Sequence, residues 1–439
     1  MFKKTFPKYL LIALAIIFCF HFLFTYFNPS VKNPWSIITE DHYIDSGKDA
    51  PIINNEKATN NKISTGPRTI TKSIFKTKIL TMTSTVTVEN TIQPTQVQEE
   101  EIKQTETFEK EEPTKQETIP PRKAKAAFVV LIRNDDLKSF RYTMVQLEQR
   151  FNRKYKYPYV FLNDVPFTEE FMNQTRSLTE ANCEFGLIPV EHWSVPSSID
   201  KELMESAMKQ MAEERVIYGG SLNYRHMCRF ESGFFYRHEL LKNYDYYWRV
   251  EPGVDFYCNI DFDPFLYMQD NDIKYGFTIS LYEYPRTIES LWGTVKEFIE
   301  MYPEYIEEDN WMDFVSNDEG ATYNLCHFWS NFEIADLRLW RGEAYSKFFK
   351  FLDDKVHSIA AALFLKKHQI HYFNEIGYKH NPFMHCPVEE EFRGRCSCDP
   401  HQTFDNEEYS CTRLWKSLVE KFNVKVPSRY SLNSTYINN

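Results

Sequence analysis

Glu251 stands at the end of an aromatic and β-branched run, in the stretch "YYWRVEPGVDFYCNID" that covers residues 246–261. The run is typical of a buried β-strand, and Pro252 and Gly253 end it at a turn. Carboxylate oxygens are preferred ligands of Mg²⁺ and Mn²⁺, so an acid fixed at a strand tip is a candidate for cation chemistry. The alternative is a surface acid that opens a turn, which a Pro-Gly pair favours.

A second carboxylate, Glu333, lies among aromatic residues in "HFWSNFEI". A carboxylate in such surroundings can stabilise a developing positive charge or attack it as a nucleophile. It can equally be the first acid of a helix, because Ser330 and Asn331 suit the N-cap position.

Three histidines, His371, His380 and His385, lie close together in the sequence near "GYKHNPF". Each can be an ordinary loop histidine or a metal ligand. Their spacing alone does not choose among them.

The elements that would position these side chains alternate between strands and helices. "AAFVVLI" from Ala126, "YVFLND" (159–164) and "EFGLIPV" (184–190) are apolar runs typical of strands buried on both faces. A helix is predicted around residues 138–151. This alternation predicts an α/β fold with a mainly parallel central sheet, whose ligands bind at the carboxyl ends of the strands.

One predicted helix precedes the strand of Glu251. In "SSIDKELMESAMKQMAEERVIYG" the apolar residues Leu203, Met204, Ala207, Met208 and Met211 share one helical face. The pattern predicts that this face belongs to the core.

Composition excludes one class of function. The chain of 439 residues has a formal charge of −11, and no basic stripe is present that could follow a nucleic-acid backbone. No nucleic-acid partner is therefore expected, whereas a nucleotide sugar needs only a local cationic pocket.

The first quarter of the chain differs from the rest. Residues 9–27, "YLLIALAIIFCFHFLFTYF", carry no charge and follow a short basic tail, residues 1–8, so a membrane anchor with a cytoplasmic N-terminus is predicted. The alternative is a cleaved signal peptide, against which the length of the run argues. Residues 28–125, rich in Thr, Lys and Glu, are predicted to be a disordered stem, and residues 126–439 to be the catalytic domain.

Eight cysteines follow the predicted anchor. In an oxidising compartment they are expected to form disulfides. The cluster of Cys386, Cys396, Cys398 and Cys411 leaves a zinc site as the alternative.

Several long motifs resemble one known family. "YRHMCRFESGFFYRHELLKNYDYYWRVEPGVDFYC", "YNLCHFWSNFEIADLRLWR", "VHSIAAALFL" and "IGYKHNPFMHCP" are similar to motifs of the fungal Golgi α-1,2-mannosyltransferases of glycosyltransferase family 15. The resemblance runs from about residue 126 to 411. It implies a GT-A-like nucleotide-sugar-binding fold and a single-pass type II Golgi membrane protein whose catalytic domain is lumenal.

The resemblance also implies an activity. It is retaining transfer of mannose from GDP-mannose to mannose-terminated glycoprotein acceptors, O-linked, N-linked or both, with Mn²⁺ or Mg²⁺ as the metal. Two alternatives remain, mannosylphosphate transfer to the same glycans and an inactive lumenal binding or scaffold protein.

Site residues follow from the same resemblance. Glu251 is assigned to the metal and diphosphate, His380 to the metal, and Glu333 to the role of candidate nucleophile. Tyr224 is placed beside the donor sugar as a second catalytic residue.

Three more residues are predicted to bind the donor. Arg229 is a plausible counter-charge for its phosphates, although it could instead pair with a nearby carboxylate. Arg133 and Asn134 follow the first predicted strand and are placed for the base or ribose.

The chain departs from the family at one point. Family members carry a Gly- and aromatic-rich stretch that ends in Arg-Trp-Gly-Asp-Ala-Pro before "VHSIAAALFL", and here Asp353-Asp354-Lys355 runs straight into Val356. Asp353 or Asp354 is the available substitute for the aspartate of that stretch. Otherwise acceptor binding is altered, activity is lost, or the sequence lacks a segment.

Overall fold

A computed structural model describes residues 122–352 and 357–427. The predicted tail, anchor and stem lie outside these ranges up to residue 121, and so do Asp353 and Asp354. Within the described ranges, no helix has both the length and the apolar composition needed to cross a bilayer.

The centre of the fold is a seven-stranded sheet. Its strands are β1 Ala126–Leu131, β2 Tyr159–Asn163, β3 Cys183–Leu187, β4 Tyr246–Arg249, β6 Tyr275–Phe277, β9 Ile334–Asp336 and β10 Ile370–Tyr372. Their order in the sheet is β10-β6-β9-β4-β1-β2-β3. Strand β1 pairs in parallel with β2 and β4, β2 with β3, and β6 with β10, whereas β9 runs antiparallel to both β4 and β6. The prediction of an α/β fold with a mainly parallel sheet is confirmed.

Two small antiparallel sheets complete the strands. The first, β12-β11-β5, contains Asp255–Phe256 (β5), Tyr378–His380 (β11) and Phe383–His385 (β12). The second pairs Ser280–Tyr282 (β7) with Cys326–Phe328 (β8).

Helices connect the strands and cover both faces of the central sheet. They are α1 Leu137–Leu147, α2 Glu169–Arg176, α3 Lys201–Glu213, α4 Leu222–Gly233, α5 Pro264–Asp270, α6 Leu291–Met301, α7 Met312–Val315, α8 Leu337–Arg341, α9 Glu343–Leu352, α10 His357–Phe364 and α11 Thr412–Lys421. Helix α1 continues through a π-helical segment, Glu148–Asn152, and a last turn, Arg153–Tyr155.

Alternation along the strands divides the core into two clusters. In β4, Tyr246 and Trp248 join the cluster on one face of the sheet, and Tyr247 joins the cluster on the other. Side chains along a strand alternate between the two faces of the sheet, so Arg249 lies on the same face as Tyr247. The register of β4 therefore places a buried arginine on the face that α4 covers.

The sequence prediction for α3 is wrong. No residue of α3 is buried, and Leu203 is 69% exposed. Met204, Met208 and Met211 are half-buried, and Met211 contacts the loop at Gly219. An apolar stripe on a helix shows which face can be buried. It does not show how much of that face other parts of the chain cover.

Three disulfides form among the eight cysteines that follow the predicted anchor, as predicted: Cys258–Cys396, Cys326–Cys411 and Cys386–Cys398. All four cysteines of the alternative zinc cluster are in these bridges. Cys183, a buried thiol, and Cys228 lie outside them, so the prediction does not hold for these two.

We expect the Cys326–Cys411 disulfide to contribute more to stability than the Cys386–Cys398 disulfide. Their sequence separations are 85 and 12 residues, and loop-closure entropy gives roughly 4.5 and 3 kcal/mol of unfolding free energy for loops of these lengths. Denaturant unfolding of the two double Cys→Ala variants checks this order. Equal losses in the two variants would contradict it.

Candidate active site

The carboxyl ends of β1 and β4 lie side by side at the predicted site. The backbone N–H of Val250 donates to the carbonyl of Val129 at 3.0 Å, which fixes the tip of β4 against β1. Beyond it, Gly253 adopts a φ of +76°, a value that glycine adopts without strain. The turn predicted after Glu251 is therefore present, and it orients Glu251 at the strand tip.

Glu251 is bound by an arginine of its own strand. The Nε and Nη2 atoms of Arg249 lie 2.6 and 2.5 Å from Oε1 of Glu251. Nη2 also lies 3.9 Å from Oε1 of Glu231 on α4. All three side chains are largely buried, so they form a carboxylate–guanidinium–carboxylate cluster at the end of β4.

Glu333 lies next to this cluster and is fully buried. It immediately precedes β9, and its carbonyl accepts the backbone N–H of Arg249 at 2.9 Å. Tyr247 donates to Oε1 at 2.6 Å and Tyr275 donates to Oε2 at 3.1 Å. The Nδ1 atom of His357 lies 3.2 and 3.3 Å from the same two oxygens.

This network keeps Glu333 ionised. Burial acts to raise the pKa of the carboxyl, but His357, Arg249 and the hydrogen bond from Tyr247 outweigh it, so that the pKa lies below its usual value. The His357 ring in turn stacks on Trp340, with ring centroids 4.1 Å apart. A fixed, water-excluded negative charge of this kind can stabilise a positive centre that forms nearby.

His380 has the properties of a metal ligand. Its ring stacks on Trp329, with centroids 5.2 Å apart, and its Nδ1 atom is buried without a hydrogen-bond partner among the described residues. Burial lowers the pKa of His380, against the charge of Glu251, which acts to raise it. The imidazole is therefore neutral at pH 7, the form that coordinates metals.

The two alternative histidines lie in different surroundings. Nδ1 of His385 lies 2.8 Å from Asp405, and its Nε2 lies 3.0 Å from the carbonyl of Asn374. His371 is buried against Tyr267 and Phe373, and its Nε2 atom, like Nδ1 of His380, has no hydrogen-bond partner among the described residues. Burial alone lowers the pKa of His371, whereas the charge of Glu251 also acts on the pKa of His380. Proximity to Glu251 therefore distinguishes His380, and its role as a metal ligand stays a prediction.

A divalent cation fits this site only with ligands from a bound molecule. In residues 122–352 and 357–427, no group of three or more His, Cys, Asp and Glu side chains is arranged to hold a metal ion. His380 and Glu251 would supply one nitrogen and one carboxylate, and phosphate oxygens would supply further ligands. The residues fit a metal that enters together with a nucleoside diphosphate.

The residues predicted at the tip of β1 make local contacts. Arg133 is exposed and pairs with Asp136 at 3.2 Å. The side-chain amide of Asn134 donates to the carbonyl of Pro166 and accepts the backbone N–H of Thr168, so Asn134 joins the β1 tip to the loop after β2. Arg133 would have to leave Asp136 to reach a ligand, whereas Asn134 fixes the position of the loop beside the β1 tip.

Tyr224 and Arg229, both on α4, face different ways. Seven residues separate Tyr224 from Glu231, so both lie on nearly the same helical face about 10 Å apart. Arg229 is two residues from Glu231, which turns it by about 200°, and it packs over the ring of Phe234. Helical periodicity therefore places Tyr224 on the face of Glu231 and Arg229 on another face, and the roles predicted for both residues stay predictions.

Sequence reasoning missed the residues that hold the carboxylates of Glu333 and Glu251. Tyr247, Tyr275 and His357 hold Glu333, and Arg249 with Glu231 holds Glu251. The available signal was Arg249 itself, a charged residue inside an apolar strand and two positions before the carboxylate.

Known proteins with similar sequences are mannosyltransferases. The chain is 52% identical over 302 residues to alpha-1,2 mannosyltransferase KTR1 of Saccharomyces cerevisiae, which covers 66% of this chain and 77% of that protein. It is 51% identical over 325 residues to glycolipid 2-alpha-mannosyltransferase 1 of Candida albicans, covering 70% and 75% of the two chains.

Solved structures of similar fold also belong to enzymes of this kind. The Mn/GDP form of core-mannan synthase A from Aspergillus fumigatus superposes with a TM-score of 0.62 at 40% identity, over 65% of this chain and 82% of that one. The mannosyltransferase Ktr4p of S. cerevisiae in complex with GDP gives a TM-score of 0.65 at 36% identity, over 70% and 83%.

The fold and these similarities define a glycosyltransferase. The model of the glycolipid 2-alpha-mannosyltransferase family matches residues 81–420, and the chain belongs to that family.

Proposed function

We propose that the chain is a retaining α-1,2-mannosyltransferase with a GT-A-like fold that uses GDP-mannose as donor and the mannose of O- or N-linked glycans as acceptor. The observation that carries the proposal is the neutral imidazole of His380, whose buried Nδ1 atom has no hydrogen-bond partner among the described residues and whose pKa is influenced by the charge of Glu251. The Mn/GDP form of the Aspergillus relative supports Mn²⁺ as the metal.

The charges at the site fit the departure of a diphosphate. When bound, the metal supplies Lewis-acid stabilisation of the leaving phosphate. His380 and Glu251 would hold the metal at the strand tip. The carboxylates of Glu251 and Glu333 together carry more negative charge than the single guanidinium of Arg249 can neutralise, which favours the entry of a cation.

Glu333 has the charge required for the sugar. In a retaining transfer the bond from C1 of mannose to the phosphate oxygen breaks, and a bond to the acceptor hydroxyl oxygen forms on the same face. The hydroxyl proton leaves with the phosphate. Ionised Glu333 would stabilise the positive charge at C1 or form a transient bond to it. Because its carboxylate is covered here, a side-chain or loop movement would have to precede direct attack.

The proposed location of the protein rests on the sequence before the catalytic domain. The uncharged run 9–27 and the stem 28–125 suit a type II Golgi membrane protein whose domain from residue 126 acts in the lumen. The acceptor would then be a glycan on a secreted or membrane protein.

An assay of the full-length chain tests the activity. With GDP-mannose, Mn²⁺ and methyl α-mannoside we expect an α-1,2-linked disaccharide and an equal amount of GDP, and no product once a chelator is added. Release of GMP would show mannosylphosphate transfer instead. Binding of GDP without any product would favour a non-catalytic lumenal protein, in which the short connection before Val356 has removed acceptor binding.

A further inference from the structure

Arg249 is shared unequally between two carboxylates. It lies 2.5 Å from Glu251 and 3.9 Å from Glu231. Glu251 is the partner that the proposed function requires for the donor, whereas Glu231 contacts neither the metal nor the donor in that proposal. The guanidinium has five N–H donors in a fixed fork, so it can pair with either carboxylate or with both.

Donor binding would change this arrangement. When the metal and diphosphate engage Glu251, the carboxylate loses part of its negative charge to the cation. Arg249 is largely buried, and a buried guanidinium left without a full counter-charge is strongly unfavourable. Glu231 is placed on the facing helix within reach of the same Nη2 atom.

We propose that Glu231 is a positioning residue of the donor site, which takes over the Arg249 guanidinium when Glu251 turns to the metal–diphosphate. The inference rests on the proposed function. It assigns to Glu231 a charge-dependent effect on donor affinity, without contact with the donor.

The ionisation of Glu231 gives this role a pH signature. Burial raises the pKa of Glu231 to about 7; Arg249 acts to lower it, and Glu251 and Glu333 act to raise it. Below that pH the carboxyl is neutral and cannot receive the guanidinium. Stronger pairing with Arg249 in the complex would lower the pKa, so donor binding should release a proton, and affinity should increase as the pH rises through about 7.

Calorimetric titration of the full-length chain with GDP and Mn²⁺ tests the inference. We expect Glu231→Gln, which keeps the shape and removes the charge, to weaken GDP binding about tenfold at pH 8. The variant should also lose the part of the rise in affinity between pH 6.5 and 8 that depends on Glu231. Glu231→Asp should retain most of that rise, because it keeps a carboxylate. Glu239→Gln, on the surface and paired with Lys242, is the matched control.

The outcomes separate the two proposals. If the parent chain does not bind GDP with Mn²⁺, the proposed function fails. If the parent binds and Glu231→Gln binds with the same affinity and pH dependence, the inference about Glu231 is wrong. Equal weakening by Gln and Asp would also overturn it, since packing and not charge would then be the cause. Should Glu231→Gln not fold, Glu231→Asp is compared with the parent. A rise in GDP affinity with pH that Glu231→Asp retains would support the inference, and loss of that rise would overturn it.

Discussion

Glu333→Gln is expected to reduce the rate of mannose transfer by about 10³-fold, the scale seen when one stabilising group is removed from an active site. The substitution keeps an acceptor for the Tyr247 hydroxyl but removes the negative charge. That charge is held by Tyr247, Tyr275 and His357 in a fully buried position. Initial rates at saturating donor and acceptor measure the effect.

The affinity of the Glu333→Gln variant for GDP shows whether a loss of transfer comes from the chemical step or from a disturbed structure. GDP affinity in the presence of Mn²⁺ should change by less than about threefold, because Glu333 is not expected to hold the diphosphate. Glu283→Gln removes a half-exposed carboxylate near His327 and serves as the control. Equal transfer rates in the Glu333→Gln variant and the parent would rule out the nucleophile assignment. A loss of GDP affinity as large as the loss of transfer rate would show that Glu333 has a structural role.

His380→Ala is expected to weaken Mn²⁺-dependent GDP binding by about 100-fold, since the described residues provide few other metal ligands and each ligand contributes strongly to affinity. GDP binding without metal should be unchanged. Titration with GDP at several Mn²⁺ concentrations measures both quantities.

Two further histidine variants make this test specific. His368→Ala removes a half-exposed imidazole and should leave the affinity for Mn²⁺ unchanged. His385→Ala should reduce stability and not metal affinity, because His385 pairs with buried Asp405. Unchanged metal dependence in His380→Ala, with a loss in one of the other two variants, would move the ligand assignment to that residue.

Local patterns in the sequence predicted much of the sheet. The apolar runs at β1, β2 and β4 began and ended within a residue or two of the observed strands. Pro252 and Gly253 marked the turn that presents Glu251. Such features depend on neighbouring residues, which a single sequence contains.

Long-range contacts could not be predicted in this way. Tyr247 and Tyr275 meet Glu333 from distant parts of the chain, and Glu231 meets Arg249 only because α4 lies on that face of β4. Strand alternation indicates which side chains share a face, but not which helix covers it. Helix α3 illustrates the same limit. Its apolar stripe could be identified from the sequence, but the small extent to which other residues bury that stripe could not.

The most direct test of the site is the ligand environment of Mn²⁺ bound with GDP. Pulsed electron paramagnetic resonance detects ¹⁴N coupling from a coordinated imidazole. We expect this coupling in the parent chain with GDP and Mn²⁺, and its loss in the His380→Ala variant. Mn²⁺ bound with GDP but without nitrogen coupling, or with coupling that persists in the variant, would contradict a donor site built on His380 and Glu251.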